Sequence, residues 1–237
     1  MQIVVTGATR GIGKAVAAIF AKDRTAHHFF LCARKTEELD ALKSLLMQTG
    51  EGTAHQVTTV RCDFLKNEDI QHFADAVLAT GLPVDILVNN AGIYQPGSCY
   101  NEPEGQLEKM LQVNLMSAYH LTRALVPAMI QAKKGHIFNL CSIASIQAYA
   151  NGGSYSISKF ALSGFTRNLR EELKPLGIKV TGIYPGATLS SSWDGLDIDP
   201  GRIMEVDDVA KMIYAAAYLS PQAVVEDIIL RPQLGDL

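Results

Sequence analysis

The chain lacks what would place it across a membrane, on a nucleic acid or around a disulfide framework. No stretch reaches eighteen uninterrupted apolar residues, and the start, Met-Gln-Ile-Val-Val-Thr-Gly, has neither a basic lead nor a long apolar segment. A spanning helix and a secretion leader are therefore not expected, and a soluble, cytoplasmic protein is. Basic residues are not in excess: 21 Lys and Arg stand against 24 Asp and Glu, a formal charge of -3. That balance argues against a phosphate backbone or a membrane surface as the main partner. Cysteine is sparse and unpaired by motif. Cys32, Cys62, Cys99 and Cys141 form no CxxC, and three of them lie in or beside apolar runs, the pattern of reduced core thiols. The histidines at 27, 28, 55, 72, 120 and 136 show no HExxH or comparable ligand spacing, so no metal site is expected and a metal hydrolase is disfavoured. No repeat, low-complexity tract or Pro/Gly/Ser-rich linker divides the chain, which points to one domain over residues 1–237.

Apolar residues make up 48% of the chain and charged ones 19%, enough to bury a sizeable core. Short apolar, β-branched runs at 3–5, 29–32, 57–62, 84–88, 136–141, 179–184 and 224–230 predict strands. Stretches of helical period lie between them, at 11–22, 36–49, 67–80, 104–132, 154–173 and 207–219. Strands that are apolar on both faces need helices above and below. The alternation therefore predicts an α/β fold: one doubly wound, seven-stranded parallel sheet flanked by helices on both faces. Ligands of such sheets bind at the carboxyl ends of the strands. Residues 186–204, with weak periodicity, three glycines, Ser190 to Ser192 and the sole tryptophan, Trp193, read as a lid loop.

The first chemical signal follows the first strand. Thr6-Gly7-Ala8-Thr9-Arg10-Gly11-Ile12-Gly13 opens the first helix, where backbone N–H groups attract phosphate and glycines let a pyrophosphate approach. The spacing is Gly-x-x-x-Gly-x-Gly, a departure from GxGxxG that a plain strand-to-helix turn would also satisfy. An acid at the end of the second strand would accept from the ribose hydroxyls of NAD; the chain has Ala33-Arg34-Lys35 there. Arg34, seconded by Arg10, offers a fork of donors to a 2′-phosphate, which favours NADPH/NADP+ over NADH. Asp63, after the third strand, is a candidate acceptor for the adenine amino group and equally a candidate helix cap.

The second signal is Ser142, followed thirteen residues later by Tyr155 and then by Lys159. Positions i and i+4 share a helix face. A unit positive charge ~4 Å from a phenol at intermediate dielectric is worth ~4 kcal/mol, roughly three pKa units, so Lys159 is expected to poise Tyr155 near neutrality as a proton donor. Alone, a Tyr-x-x-x-Lys pair is common on solvated helices.

Its surroundings lend it weight. Asn89-Asn90-Ala91-Gly92 closes the fourth strand, Asn114 sits in the long fourth helix, and Pro185-Gly186 ends the sixth strand. With the glycine turn, Ser142 and the Tyr-Lys pair, these resemble the short-chain dehydrogenase/reductase family, of Rossmann type, over nearly the whole chain. The resemblance implies a catalytic tetrad of Asn114, Ser142, Tyr155 and Lys159. It further implies that Gly7, Thr9, Arg10, Gly11, Ile12, Gly13, Arg34, Asp63, residues 89–92, Tyr155, Lys159, Pro185, Gly186 and Thr188 line the cofactor. Asn114 would link Lys159 to solvent through its side chain or a water. The tail, residues 218–221 and 224–232, is similar to that of bacterial sepiapterin reductase-like members. The implied activity is NADPH-dependent reduction of a carbonyl to an alcohol. A 3-oxoacyl-thioester reductase and a non-catalytic NADP(H)-sensing module are the other readings. A homodimer through the long fourth and fifth helices is implied, and the short end at Gly235-Asp236-Leu237 puts a family-type tetramer in doubt.

Overall fold

In the computed structural model, which describes residues 1–49, 53–189 and 199–236 of the chain, each apolar run becomes a strand. They are β1 (Gln2–Thr6), β2 (His28–Ala33), β3 (Gln56–Arg61), β4 (Ile86–Asn89), β5 (His136–Leu140), β6 (Lys179–Pro185) and β7 (Asp227–Leu230). They form one sheet in the order β3-β2-β1-β4-β5-β6-β7, every neighbouring pair parallel. The order reverses between β1 and β4, and Val4 stands beside Phe30 on one side and Leu87 on the other.

Helices cover both faces because the strands are apolar on both. On one side α1 (Gly11–Phe20), α2 (Thr36–Thr49) and α7 (Val206–Ala217) pack Val16, Phe20, Leu39, Leu46 and Ile213 against Ile3, Val5, Phe29, Leu31 and Phe138. On the other, α3 (Asn67–Leu78), α5 (Ser117–Ala132) and α6 (Gly153–Leu173) pack Phe73, Leu121, Leu125 and Leu169 against Val4, Phe30, Leu87 and Ile137. Cys32, Cys62 and Cys141 are buried in this framework and Cys99 is exposed; all four are free.

Most element ends fall within a residue or two of the sequence reading, and three differences bear on the architecture. The strand expected from 84 begins at Ile86, and the one expected from 224 begins at Asp227, where β6 first offers a partner through Gly182. The helix expected over 104–132 is two helices, α4 (Gln106–Leu111) and α5, joined by a π-helical turn at Gln112–Met116 that contains Asn114. Of the expected lid, residues 190–198, Trp193 included, lie outside the described residues. Its two ends are joined: Thr188 and Met204 form a parallel bridge, and Leu189 donates to the Met204 carbonyl at 2.7 Å.

Candidate active site

The carboxyl ends of β1, β4, β5 and β6 open onto a cavity of about 690 Å³. Three of the four polar residues singled out above line it: Ser142 just past β5, and Tyr155 and Lys159 one turn apart on α6. Ser142 is extended and caps a short 3-10 turn, its oxygen accepting from the Ala144 N–H at 3.1 Å. Its hydroxyl also hydrogen-bonds the Tyr155 phenol, which favours the phenolate.

Burial wins over that bond and pushes the Tyr155 phenol above its usual value. The expectation of a phenol lowered by Lys159 is corrected here. The ammonium group stands 5.8 Å from the Tyr155 ring centre and donates one of its three N–H bonds to the Leu140 carbonyl at 2.6 Å. Burial also draws Lys159 down to about 8, which weakens its charge near neutrality.

Asn114 is buried beside them, but its side chain is fully engaged elsewhere. Its Oδ1 accepts from Ile93 N–H at 2.7 Å, and its Nδ2 donates to the Ile93 carbonyl at 3.0 Å and to Ser158 Oγ at 2.9 Å. It thereby ties the exit of β4 to the helix that carries Tyr155, since Ser158 itself donates to the Tyr155 carbonyl at 2.7 Å. Asn114 does not bond Lys159 directly.

The glycine turn is held by tertiary bonds. Asn90 Nδ2 donates to the carbonyls of Thr6 and Gly7 at 2.8 and 3.0 Å, and Thr6 Oγ1 accepts from the N–H groups of Asn90 and Ala91. Gly13 is where no side chain fits: a Cβ there would sit 2.4 Å from Asn90 Nδ2 and 2.5 Å from the Gly7 carbonyl oxygen. Helix α1 starts without an acidic residue in its first turn and without a side-chain cap, so its first N–H groups are left to an anion. Of this turn only Ile12 lines the cavity, with Asn90 and Gly92 from the β4 exit. Gly7, Thr9, Arg10, Gly11, Gly13 and Ala91 do not line it. Asn89 departs from its expected place: it is buried, with Nδ2 donating to Thr122 and Asn139 inside the sheet.

Arg34, at the end of β2, is exposed and has no hydrogen-bond or ion-pair partner among the described residues. Asp63 caps its own turn, accepting from Leu65 N–H at 3.2 Å. Pro185, Gly186 and Thr188 line the cavity as well. Behind them stand Arg231 and Asp236 of the C-terminal tail, residues without a local motif to single them out. Asp236 accepts from Ala187 N–H at 3.2 Å and from Arg231 Nε at 2.7 Å. Tyr94, Tyr149 and Asn151 also line the cavity, whereas Tyr184 is fully buried with its hydroxyl on Ser163.

Residues 1–199 match the family model described as short chain dehydrogenase. The chain belongs to the short-chain dehydrogenase family. As a short-chain dehydrogenase it is an oxidoreductase of the CH–OH/carbonyl class, on the seven-stranded fold its solved relatives share. The sepiapterin reductase of Chlorobaculum tepidum is 30% identical over 99% of this chain and 97% of its own. A metagenomic short-chain oxidoreductase solved with NADP is 32% identical, with a TM-score of 0.82 over 98% of this chain and 97% of that one. The L-sorbose reductase of Gluconobacter frateurii, solved with NADPH and L-sorbose, is 25% identical, with a TM-score of 0.86 over 96% of this short-chain dehydrogenase and 94% of its own chain. Among the described residues no helix is long and apolar enough to cross a membrane, and no group of three or more His, Cys, Asp or Glu is placed to hold a metal ion.

Proposed function

We propose that this short-chain dehydrogenase reduces a small carbonyl compound to an alcohol with NADPH, as a sepiapterin reductase-like enzyme. The observation that carries the reading is the meeting of Ser142, Tyr155 and Lys159 in a single cavity that Pro185, Gly186 and Thr188 also line. The chain fits the cofactor on its own terms. The uncapped start of α1 offers N–H groups to a pyrophosphate, and Gly13 keeps the approach clear. Arg34, without a partner among the described residues, and exposed Arg10 would hold a 2′-phosphate, and Asp63 the adenine. Lys159 and the segment Pro185 to Thr188 would hold the nicotinamide end.

When bound, the reduced nicotinamide supplies the hydride. The residues of the chain do the rest. Ser142 donates a hydrogen bond to the substrate oxygen as negative charge develops there. Tyr155 gives that oxygen its proton as general acid, and a phenol raised by burial stays protonated until the transfer. Lys159 then faces the phenolate and stabilises it. Asn114 ties the β4 exit to α6, and a bound water beside it would carry the replacement proton to Lys159. Ile157 and Phe160 on α6 are exposed, which supports a homodimer through α5 and α6.

The test is steady-state NADPH oxidation against a panel of diketones, pterins and 3-oxoacyl thioesters. Tyr155→Phe is expected to lose turnover while keeping its affinity for NADPH. Unchanged turnover in that variant would reject the assignment, and NADPH binding without oxidation in the wild type would favour a sensing module.

A further inference from the structure

Outside the cavity, the loop between β4 and α4 sends a carboxylate to the start of α6. Glu102 accepts from the Ser154 backbone N–H, at 2.9 Å to one oxygen and 3.2 Å to the other, and from the Ser154 hydroxyl. Two glycines make the seat. A Cβ on Gly97 would lie 2.6 Å from Glu102 Cγ, and one on Gly153 would lie 1.8 Å from its Oε1; Gly153 also sits at φ +38°. Helix α6 brings no cap of its own: Gly152 makes no side-chain bond to it, and its first turn has no acid. The charge that satisfies its N-terminus comes from 52 residues earlier.

The same loop is fastened to the same helix start by two further bonds. Gly97 N–H donates to the Asn151 carbonyl at 3.1 Å, and Ser98 Oγ to Asn151 Oδ1 at 2.9 Å. It also carries part of the substrate wall. Tyr94 sets the edge of its ring against Tyr155 with centres 4.9 Å apart, and Pro96 lines the cavity beside it.

We propose that Glu102 is a positioning residue of the reaction: it latches the loop 94–102 onto the first turn of α6 and so sets where the Tyr155 hydroxyl stands relative to the substrate wall. The proposal rests on the reading of Tyr155 as proton donor. Glu102 does not line the cavity, so its influence passes through Ser154, the residue before Tyr155. A proton donor displaced by about 1 Å costs up to ~100-fold in rate.

The experiment uses the full chain and six proteins: wild type, Glu102→Ala, Glu102→Gln, Ser154→Ala, the Glu102→Gln/Ser154→Ala double variant, and Tyr155→Phe. Amide hydrogen exchange over residues 152–156 reads the latch without any carbonyl, and NADPH oxidation with diacetyl and with sepiapterin reads the chemistry. Exchange there is expected to quicken in the Glu102 variants while the sheet is unchanged. Turnover should fall on the order of 10- to 100-fold in Glu102→Ala and less in Glu102→Gln, with NADPH affinity kept within about threefold. The Ser154→Ala effect should be largely absorbed in the double variant, because both changes act on the one contact between the Ser154 hydroxyl and the Glu102 carboxylate, alanine keeping the backbone N–H. Unchanged exchange, unchanged turnover in Glu102→Gln, or strict additivity would each overturn the proposal. Should Glu102→Ala fail to fold, the Gln, Ser154→Ala and double variants decide it. Turnover persisting in Tyr155→Phe refutes the donor reading instead, whereas an inactive Tyr155→Phe beside an additive cycle refutes the latch alone.

Discussion

The ammonium group of Lys159 donates to the carbonyl of Leu140 at 2.6 Å, inside a region so dry that its pKa falls from 10.5 to about 8. The folded chain therefore binds fewer protons at this site than the unfolded chain between about pH 8 and 10.5. Stability owed to Lys159 rises as pH climbs through that window, and below it the cost of the buried charge is present in full. Subtracting the urea-denaturation free energies of Lys159→Met from those of wild type, without cofactor, should give a difference that grows in favour of wild type by on the order of 2 kcal/mol between pH 8 and 10. A flat difference would mean that the ammonium group stays hydrated.

Gly13 faces the Gly7 carbonyl and Asn90, and neither can retreat without loosening the β1 exit. Gly13→Ala should cost about 1–3 kcal/mol of stability, the usual range for overpacking, and weaken NADPH binding at least tenfold. Thermal unfolding and NADPH fluorescence titration measure the two effects separately.

Arg34 has no partner among the described residues, so its removal should not disturb the fold. If it holds a 2′-phosphate, Arg34→Ala loses charge-assisted bonds worth about 1.5–3 kcal/mol, roughly 10- to 100-fold in the ratio of kcat/KM for NADPH over NADH. The same ratio in variant and wild type would remove Arg34 as the selector.

The sheet was legible because its strands are apolar on both faces, and runs such as Ile3 to Val5 and Phe29 to Cys32 admit few other partners than helices. The Tyr155 and Lys159 pair was legible because one helical turn is a local rule. The break at Gln112–Met116 was not: Val113 and Met110 keep the apolar period, and a π turn leaves no mark on composition. Asn89 and Asn90 read alike in sequence, yet strand alternation sends one into the sheet and the other to the glycine turn. Glu102 and Asp236 look like solvated loop acids, and only tertiary closure brings them to Ser154 and Ala187. The pKa of Tyr155 was misjudged for a related reason. Helical spacing locates a neighbour, but it carries no information on burial or on the Leu140 carbonyl that engages that neighbour.

Arg170 joins the far edge of the sheet to α6. Its Nε donates to the Val180 carbonyl at 3.0 Å, and its Nη2 meets Asp227 at 2.6 Å and also the Glu226 carbonyl. Arg170→Met leaves the buried Val180 carbonyl without its donor, while the partly exposed Asp227 can turn to water, so it should destabilise by about 1–3 kcal/mol. Urea denaturation should show a lowered midpoint at an unchanged slope; a midpoint within a few tenths of a molar of wild type would show that solvent reaches the pair.

The irregular turn around Asn114 also sets a bound on engineering. Deleting one residue there to make a single unbroken rod would regularise the backbone and leave the downstream faces nearly in place, because the wide turn only takes up an extra residue. Leu121, Leu125 and Met129 would stay on the sheet, but the amide that clasps Ile93 and Ser158 would lose its place. The local imperfection is thus the joint that lets one helical column serve both the core and the catalytic cleft.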